Sequence, residues 1–272
     1  MASSQPTHEA VRDIWDTNAA FWNEKMAEGN LFHRELVGPT AEKLLAIEPG
    51  QRIVEFACGN GQFSRRMAEL GAEVEASDVS PKLVELAIER TQERPKIADR
   101  IHFSVIDAAK PEDLARFDGQ QFDAVVCNMA IMDMIEVEPL YRAAASLLKP
   151  GGRFVFTIMH PCFNNPGGDT MTAETIDVGG EVVTTYAIAT KRYRSTGAYQ
   201  GLAILGQPEK QWYFHRTLTE LLNPAFASGL VLDGMEEAYL PAATEPAAHA
   251  HLSWRSFTDI PPVFGVRLRK LA

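Results

Sequence analysis

The sequence predicts an α/β fold: a doubly wound, mostly parallel sheet of seven strands with an antiparallel final strand, plus an inserted small β element. Two observations predict it. From about residue 50 onward, short apolar runs alternate with helix-like segments, which is typical of βαβ units on a parallel sheet. The chain has 272 residues, 46% apolar and 23% charged, so one large domain with an insertion can bury a sizeable core.

Five apolar runs predict the first five strands of the sheet. These strands are RIVEFA (52–57), AEVEAS (72–77), IHFSVID (101–107), FDAVVCN (122–128) and RFVFTIM (153–159). A helix over about 62–70 follows the first strand, and another over about 137–148 ends at the KPGG turn. Ser80 and Pro81 supply an N-cap and a preset first helical position, which predicts a helix directly after the second strand.

After residue 163 the βαβ rhythm stops. Residues 164–210 are rich in Gly and Thr, and the segment around Gly179 and Gly180 reads as a hairpin. The α/β pattern returns at Thr217, where TLTE predicts a capping box for a helix that reaches about Ala227. Two final strands are predicted over 230–238 and 263–270, joined by a Pro- and Ala-rich loop over 241–251.

Composition narrows the classes of partner. The net charge of −10 disfavours a protein that follows a nucleic-acid backbone, because such proteins need clustered Lys and Arg. No apolar run approaches the length that spans a bilayer, and the three cysteines lack metal-type spacing, so no metal site is expected. We expect a cytoplasmic protein, monomeric or homodimeric, that acts on a small molecule without nucleic-acid or membrane partners.

The turn after the first strand carries the most specific signal. A dinucleotide-binding turn needs a third glycine so that a pyrophosphate can approach the helix, but Gln62 occupies that position here. The pattern is instead E-x-A-C-G-N-G, with Glu55 inside the strand and Asp78 at the end of the next one. Two carboxylates and a glycine turn suit a ligand that has an ammonium group and ribose hydroxyls but no phosphates.

Five motifs in register resemble those of class I S-adenosylmethionine-dependent methyltransferases, whose fold is Rossmann-like. They are VEFACGNGQF, ASDVSPKLVELA, VIDAA, FDAVVCNMAIMDM and LLKPGGRFVFTIMHP, and they cover roughly residues 50–163. The resemblance implies S-adenosylmethionine as cofactor and S-adenosylhomocysteine as product. One departure is Ala57, where the family usually has glycine; alanine is acceptable there if its φ stays negative.

The resemblance also assigns the cofactor contacts. Glu55 and the 57–61 backbone would surround the methionine part, Asp78 would hold the ribose diol, and Asp107 would meet the adenine. The expected cofactor-binding residues are Trp22, Glu55, Ala57, Cys58, Gly59, Asn60, Gly61, Gln62, Asp78, Val79, Asp107, Ala108, Asn128, Met129 and Ala130. Four segments of one domain follow: a helical lid (1–49), a cofactor-binding core (50–163), a substrate-covering insertion (164–214) and the completion of the core (215–272).

The sequence says less about the residues that act on the methyl acceptor. A hydroxyl, phenol or ammonium acceptor must lose a proton, and histidine is the natural base near neutral pH. His160 follows the fifth strand and His215 precedes a helix, so both are candidate catalytic residues, with Asp133 as a candidate that orients the acceptor. A structural role is the open alternative for each histidine, and stabilisation of a helix start is the alternative for Asp133.

The leading hypothesis is an enzyme that transfers a methyl group to an oxygen or nitrogen atom of a small metabolite by in-line displacement. A non-catalytic protein that binds S-adenosylmethionine and regulates or scaffolds a partner is the first alternative. A nicotinamide-dependent oxidoreductase is the second, disfavoured by Gln62 and by the lack of a Tyr-x-x-x-Lys pair.

Overall fold

The computed structural model describes residues 5–165, 167–195, 197–241 and 253–271. Seven strands form the central sheet in the order β10-β11-β5-β4-β1-β2-β3. Their bounds are β1 Arg52–Phe56, β2 Glu73–Asp78, β3 Ile101–Val105, β4 Phe122–Asn128, β5 Leu148–Met159, β10 Leu230–Ala238 and β11 Val263–Lys270. β11 lies antiparallel between β5 and β10, and the other neighbouring pairs are parallel, which confirms the predicted fold class.

Eight α-helices surround this sheet in the described part of the chain. They are α1 His8–Met26, α2 Gly38–Leu45, α3 Gln62–Glu69, α4 Pro81–Gln92, α5 Pro95–Ala98, α6 Pro111–Leu114, α7 Glu138–Leu147 and α8 Leu218–Ala227. The predicted helix starts are confirmed at two of them. The Ser80 hydroxyl accepts the Leu83 amide at α4, and Thr217 with Glu220 forms the full capping box at α8.

Alternating side chains of the strands build a core on each face of the sheet. Val54 and Phe56 pack with the cluster that contains α7, whereas Ile53 packs with the cluster that contains α2 and α3. Because both faces are covered, the central strands are apolar on both sides, as parallel sheets require. The chain leaves β1 towards β2 on one side and reaches β4 on the other, so the sheet has its switch point between β1 and β4.

Helix α1 packs across α4 rather than on the sheet. The Ser80 hydroxyl bonds to Asp16, and Arg90 Nη2 donates to the carbonyl of Asn23 at 3.0 Å. Asn18, which is fully buried, exchanges two hydrogen bonds of 2.9 Å with the backbone of Glu209. The helix is therefore tied both to the core and to the inserted segment.

The insertion forms two small sheets. β6 (Asp169–Val178) and β7 (Glu181–Thr190) make the predicted hairpin around Gly179 and Gly180. A second pair, β8 (Gly197–Gly201) with β9 (Gln211–His215), was not predicted from the sequence; Tyr199 and Tyr213 stack across it with 5.3 Å between ring centroids. The predicted loop over 241–251 lies outside the described residues except for Pro241. Within the described ranges, no helix is long and apolar enough to cross a membrane.

Candidate functional site

A cavity of about 480 Å³ lies where β1, β2 and β4 end at the switch point. Residues that directly follow these strands line it, among them Gly59, Val79 and Met129. Helix α1 covers it through Trp15 and Trp22, and Trp254 closes it on another side. Ligands of open α/β folds bind at this position, so the cavity is the candidate site.

The turn after β1 has three residues in the left-handed region. Ala57 has a φ of 57°, Gly59 of 56° and Gly61 of 74°. The condition under which alanine would be unstrained here, a negative φ, is therefore not met: the turn keeps the geometry that glycine would favour, and alanine bears a strain of about 1–2 kcal/mol. A Cβ on Gly59 would meet nothing within 4 Å, so this position leaves room for a ligand against the backbone.

Gly61 serves packing instead of the cavity. It is not among the cavity-lining residues, in contrast to the other members of the turn. A Cβ there would lie 3.0 Å from Phe103 Cζ and 3.1 Å from Ala87 Cβ. The glycine thus lets the start of α3 approach α4 and β3, which holds the turn in place.

Two buried carboxylates stand at the ends of β1 and β2. Glu55 accepts a hydrogen bond from Ser64 Oγ, and burial raises the pKa of Glu55 to about 7. Asp78 accepts the amides of Gly59 at 2.8 Å and of Ser80 at 3.0 Å. Burial outweighs these bonds and raises the pKa of Asp78 to about 6. Both groups ionise more readily when a cation enters the cavity.

Asp107 marks another end of the cavity. One carboxylate oxygen accepts the Ala109 amide at 3.0 Å, and the other lies 2.9 Å from Nδ1 of His8 in α1. Ala108, the other residue expected near an adenine, also lines the cavity. The covering helix is therefore fastened directly to a residue expected to contact the cofactor.

The end of β4 is strained and leaves a polar donor without a partner. Met129 has a φ of 52°, and its amide donates to the Thr157 carbonyl at 2.8 Å. Among the described residues, neither Nδ2 of Asn128 nor Nε1 of Trp22 has a hydrogen-bond partner, although both atoms are buried. Such orphaned donors at a cavity wall fit a ligand that brings acceptors.

The charges of the cavity have one sign. Four acidic side chains line it, namely Glu55, Asp78, Asp107 and Asp133. In the described ranges, no Lys or Arg is among the lining residues. A cationic ligand with hydroxyl groups fits this lining, and a pyrophosphate does not. The residues present thus suit the sulfonium and ammonium groups of S-adenosylmethionine.

The remaining wall is largely apolar. Met132, Met134, Met159 and Tyr213 line it, and methionine side chains adapt well to apolar ligands. Asp133 lies within this wall and accepts a hydrogen bond from Gln211 Nε2 at 3.1 Å. Burial raises the pKa of Asp133 well above its usual range.

The two histidines expected as bases lie outside the cavity lining. His160 is 3% exposed; its Nδ1 accepts the Cys162 amide at 3.1 Å, and its Nε2 lies 3.0 Å from Glu237 Oε1. His215 Nε2 donates to the Tyr193 carbonyl at 2.8 Å. Both ring nitrogens of His160 are therefore engaged, and the ring of His215 contacts a neighbouring loop. These contacts fit a structural role for both histidines. Neither residue enters our proposal as a base.

Other lining residues gave no signal in the sequence. His8, Asn30, His33 and Trp254 reach the cavity from segments whose spacing matches no motif. Only Trp254 could have been suspected, as an aromatic residue within SWRSF. No group of three or more His, Cys, Asp or Glu in the described residues is arranged to hold a metal ion.

Comparison with known proteins agrees with this geometry. Residues 54–156 match the family model described as a methyltransferase domain. A ubiquinone biosynthesis O-methyltransferase of Xanthomonas campestris pv. campestris (strain B100) is 40% identical over 116 residues, which are 41% of this chain and 44% of that protein. The chain thus matches less than half of the length of this relative.

Two solved structures share the fold. An S-adenosylmethionine-dependent methyltransferase from Mesorhizobium loti has a TM-score of 0.63 at 24% identity, covering 85% of this chain and 96% of that one. The [4+2]-cyclase SpnF has a TM-score of 0.63 at 17% identity, covering both chains completely. At these identities the likeness concerns the fold alone.

Proposed function

We propose that this chain, which contains a class I S-adenosylmethionine-dependent methyltransferase domain, transfers a methyl group to an oxygen or nitrogen atom of a small, largely apolar metabolite. The observation that carries the proposal is the cavity at the switch point, which has four carboxylates and, among its described lining residues, no Lys or Arg. S-adenosylmethionine supplies an activated methyl group on a sulfonium. The protein then has to bind, orient and dehydrate the reactants.

For the cofactor, we propose roles that follow the ends of the strands. Asp78 accepts the ribose hydroxyls through the lone pairs left after its two backbone bonds. Glu55 neutralises the ammonium group, and Asp107 with Ala108 faces the adenine. The Asn128–Ala130 segment lies beside the sulfonium, and Trp22 covers the cofactor from α1.

For the acceptor, we propose the apolar wall around Met132 and Tyr213. Asp133 is the one carboxylate of that wall and orients the acceptor through a hydrogen bond. The ties of α1 to Glu209 and Ser80 keep water out while the reactants are held. The ubiquinone biosynthesis relative is named as an O-methyltransferase, which favours an oxygen acceptor.

Two alternative functions can be distinguished from this proposal. A non-catalytic binding protein would have the same cofactor contacts but no turnover. A nicotinamide-dependent oxidoreductase would need cations or a glycine at position 62 for its pyrophosphate, and the lining offers neither. We further propose a cytoplasmic protein, monomeric or homodimeric, without nucleic-acid partners. The net charge of −10 supports only the last of these points.

Calorimetric titration with S-adenosylmethionine, S-adenosylhomocysteine and NADH tests the cofactor. We expect binding of the first two and none of NADH; a folded protein that binds only NADH contradicts the proposal. A screen of metabolites with methyl-labelled cofactor, read by mass spectrometry, then tests transfer. A labelled product supports the enzyme, whereas binding without any product favours the regulatory alternative.

A further inference from the structure

His33 occupies an unusual place in the wall of the cavity. It is the first residue of a π-helical turn, His33–Val37, between α1 and α2. π-Helical turns are rare and are frequently found at functional sites. The Gly38 amide closes the turn on the His33 carbonyl, and a Cβ on Gly38 would lie 3.0 Å from that oxygen.

The residue before His33 shares a packing cluster with the strained end of β4. Phe32 packs against the same small cluster as Met129 and Trp254. Met129 and Trp254 both line the cavity, as does His33. His33 thus lines the same cavity as Met129, which the proposed function places beside the sulfonium.

Hydrogen bonds determine which ring nitrogen carries the proton. The backbone amide of His33, which can only donate, bonds to Asn30 Oδ1 at 3.0 Å. The other amide atom, Asn30 Nδ2, points to Met26 Sδ at 3.4 Å. Since Oδ1 can only accept, His33 Nδ1, which lies 3.1 Å from it, must donate.

The second ring nitrogen is left with its lone pair. Within the described part of the chain, His33 forms its hydrogen bonds through its backbone amide and Nδ1, and none through Nε2. Burial lowers the pKa of His33 to about 4, so the ring is neutral at neutral pH. A neutral imidazole with a free lone pair in a reactant cavity is ready to accept a proton.

We propose that Nε2 of His33 takes the proton from the acceptor during methyl transfer, with Asn30 holding the tautomer. This step rests on the proposed function. As the acceptor oxygen or nitrogen forms its bond to the methyl carbon, the carbon–sulfur bond breaks and its electron pair stays on sulfur. The acceptor proton moves to Nε2, so the cavity loses a sulfonium charge and gains an imidazolium charge. The step therefore leaves the total positive charge within the cavity unchanged.

The tautomer is tested without any acceptor. Nitrogen NMR of protein with ¹⁵N-labelled histidine, at pH 7, reports which ring nitrogen is protonated, and His33→Gln assigns the signal among the seven histidines. We expect a protonated Nδ1 and a bare Nε2. A protonated Nε2 overturns the proposal. Asn30→Leu should mix the tautomers; an unchanged spectrum contradicts the role of Asn30.

The proton transfer is tested with labelled cofactor and a pool of catechol, phenol, benzyl alcohol and benzylamine. His33→Gln should lower the transfer rate roughly 100-fold while calorimetry shows unchanged affinity for S-adenosylmethionine. His33→Ala should regain rate when imidazole is added, which a structural role would not produce. The matched control is His102→Gln, an exposed histidine on β3, with full activity expected.

The outcomes separate the two proposals. Undiminished transfer by His33→Gln overturns the role of His33 and leaves the methyltransferase assignment intact. If the wild-type protein binds the cofactor yet labels nothing in the pool, that result contradicts the proposed function for these acceptor classes. A protonated Nε2 in the nitrogen NMR spectrum overturns the His33 proposal in either case.

Discussion

The amide of Gly59 donates a 2.8 Å hydrogen bond to Asp78 Oδ2, so the turn after β1 is tied to the carboxylate that ends β2. Each of these residues would contact the cofactor, and each holds the other in position. Asp78 is 5% exposed, and in the described chain it accepts hydrogen bonds from two backbone amides, those of Gly59 and Ser80. The free energy of the ionised Asp78 side chain therefore depends strongly on the charge of any ligand that binds in the cavity.

Replacing Asp78 tests the ribose contact. Asp78→Ala should weaken binding of S-adenosylmethionine by about 1–3 kcal/mol, because buried hydrogen bonds to the ribose are lost. Calorimetry measures this, with circular dichroism to confirm folding. Asp118→Ala, an exposed carboxylate, serves as the control and should bind normally. Equal affinity for both variants would contradict the assignment.

Cofactor binding should depend on pH between about 5 and 8. Burial raises the pKa of Glu55 to about 7 and that of Asp78 to about 6, so each carboxyl is partly protonated in this window before a cation binds. A cation binds better to the ionised forms, so affinity should rise with pH and binding near pH 7 should release protons. Calorimetry in buffers of different ionisation enthalpy measures that release.

Glu55→Gln is the control for this pH dependence. In this variant, the affinity for S-adenosylmethionine should no longer change with pH near 7. The change near pH 6, which we assign to Asp78, should remain. Binding of S-adenosylmethionine with no proton release in any buffer would show that neither carboxyl changes its charge on binding.

The strain at Ala57 predicts a stabilising substitution. Ala57→Gly should raise the free energy of unfolding by roughly 0.5–1 kcal/mol, since relief of a positive φ exceeds the added flexibility of the unfolded chain. Urea denaturation measures the change. Ala143→Gly in α7 should instead destabilise by about 1 kcal/mol, because its backbone is helical. A loss of stability in both variants would contradict strain at Ala57.

Substitution of Asn18 should loosen α1, the helix that covers the cavity. Asn18→Ala leaves the amide and carbonyl of Glu209 without their partner, so we expect faster hydrogen exchange over residues 8–26 and weaker cofactor binding by about 1–3 kcal/mol. Asp13→Ala, on the exposed face of the same helix, is the control. Unchanged exchange in Asn18→Ala would mean that α1 is held elsewhere.

The strands of the sheet were predicted well because they are short segments rich in apolar residues, most of which the fold buries. The two last strands match their predicted bounds, 230–238 and 263–270, and the caps at Ser80 and Thr217 are local interactions that short motifs encode. The pair β8–β9 was missed, since its strands are short and lie outside the βαβ rhythm.

Apart from Trp22 in α1, the residues of the site that were predicted and line the cavity lie at or after the ends of the strands. Asp78 and Asp107 could be found because parallel strands end at one edge. His33 could not, since it reaches the cavity through a π-turn that no motif marks. His160 was misleading for the opposite reason: it follows β5, but its ring turns away to Glu237. The direction of a side chain depends on tertiary contacts.

The pairing of Asn18 with Glu209 spans 191 positions, and this has a consequence for biosynthesis. On the ribosome, α1 emerges long before its partner, and the strands that it covers emerge in between. Until Glu209 has left the exit tunnel, Asn18 lacks its partner, so we expect α1 to be held only through its contacts with the core, such as those to Ser80 and Arg90. A ribosome-bound fragment that ends before Glu209 should hold S-adenosylmethionine poorly, so the cofactor is retained only once most of the polypeptide has been made.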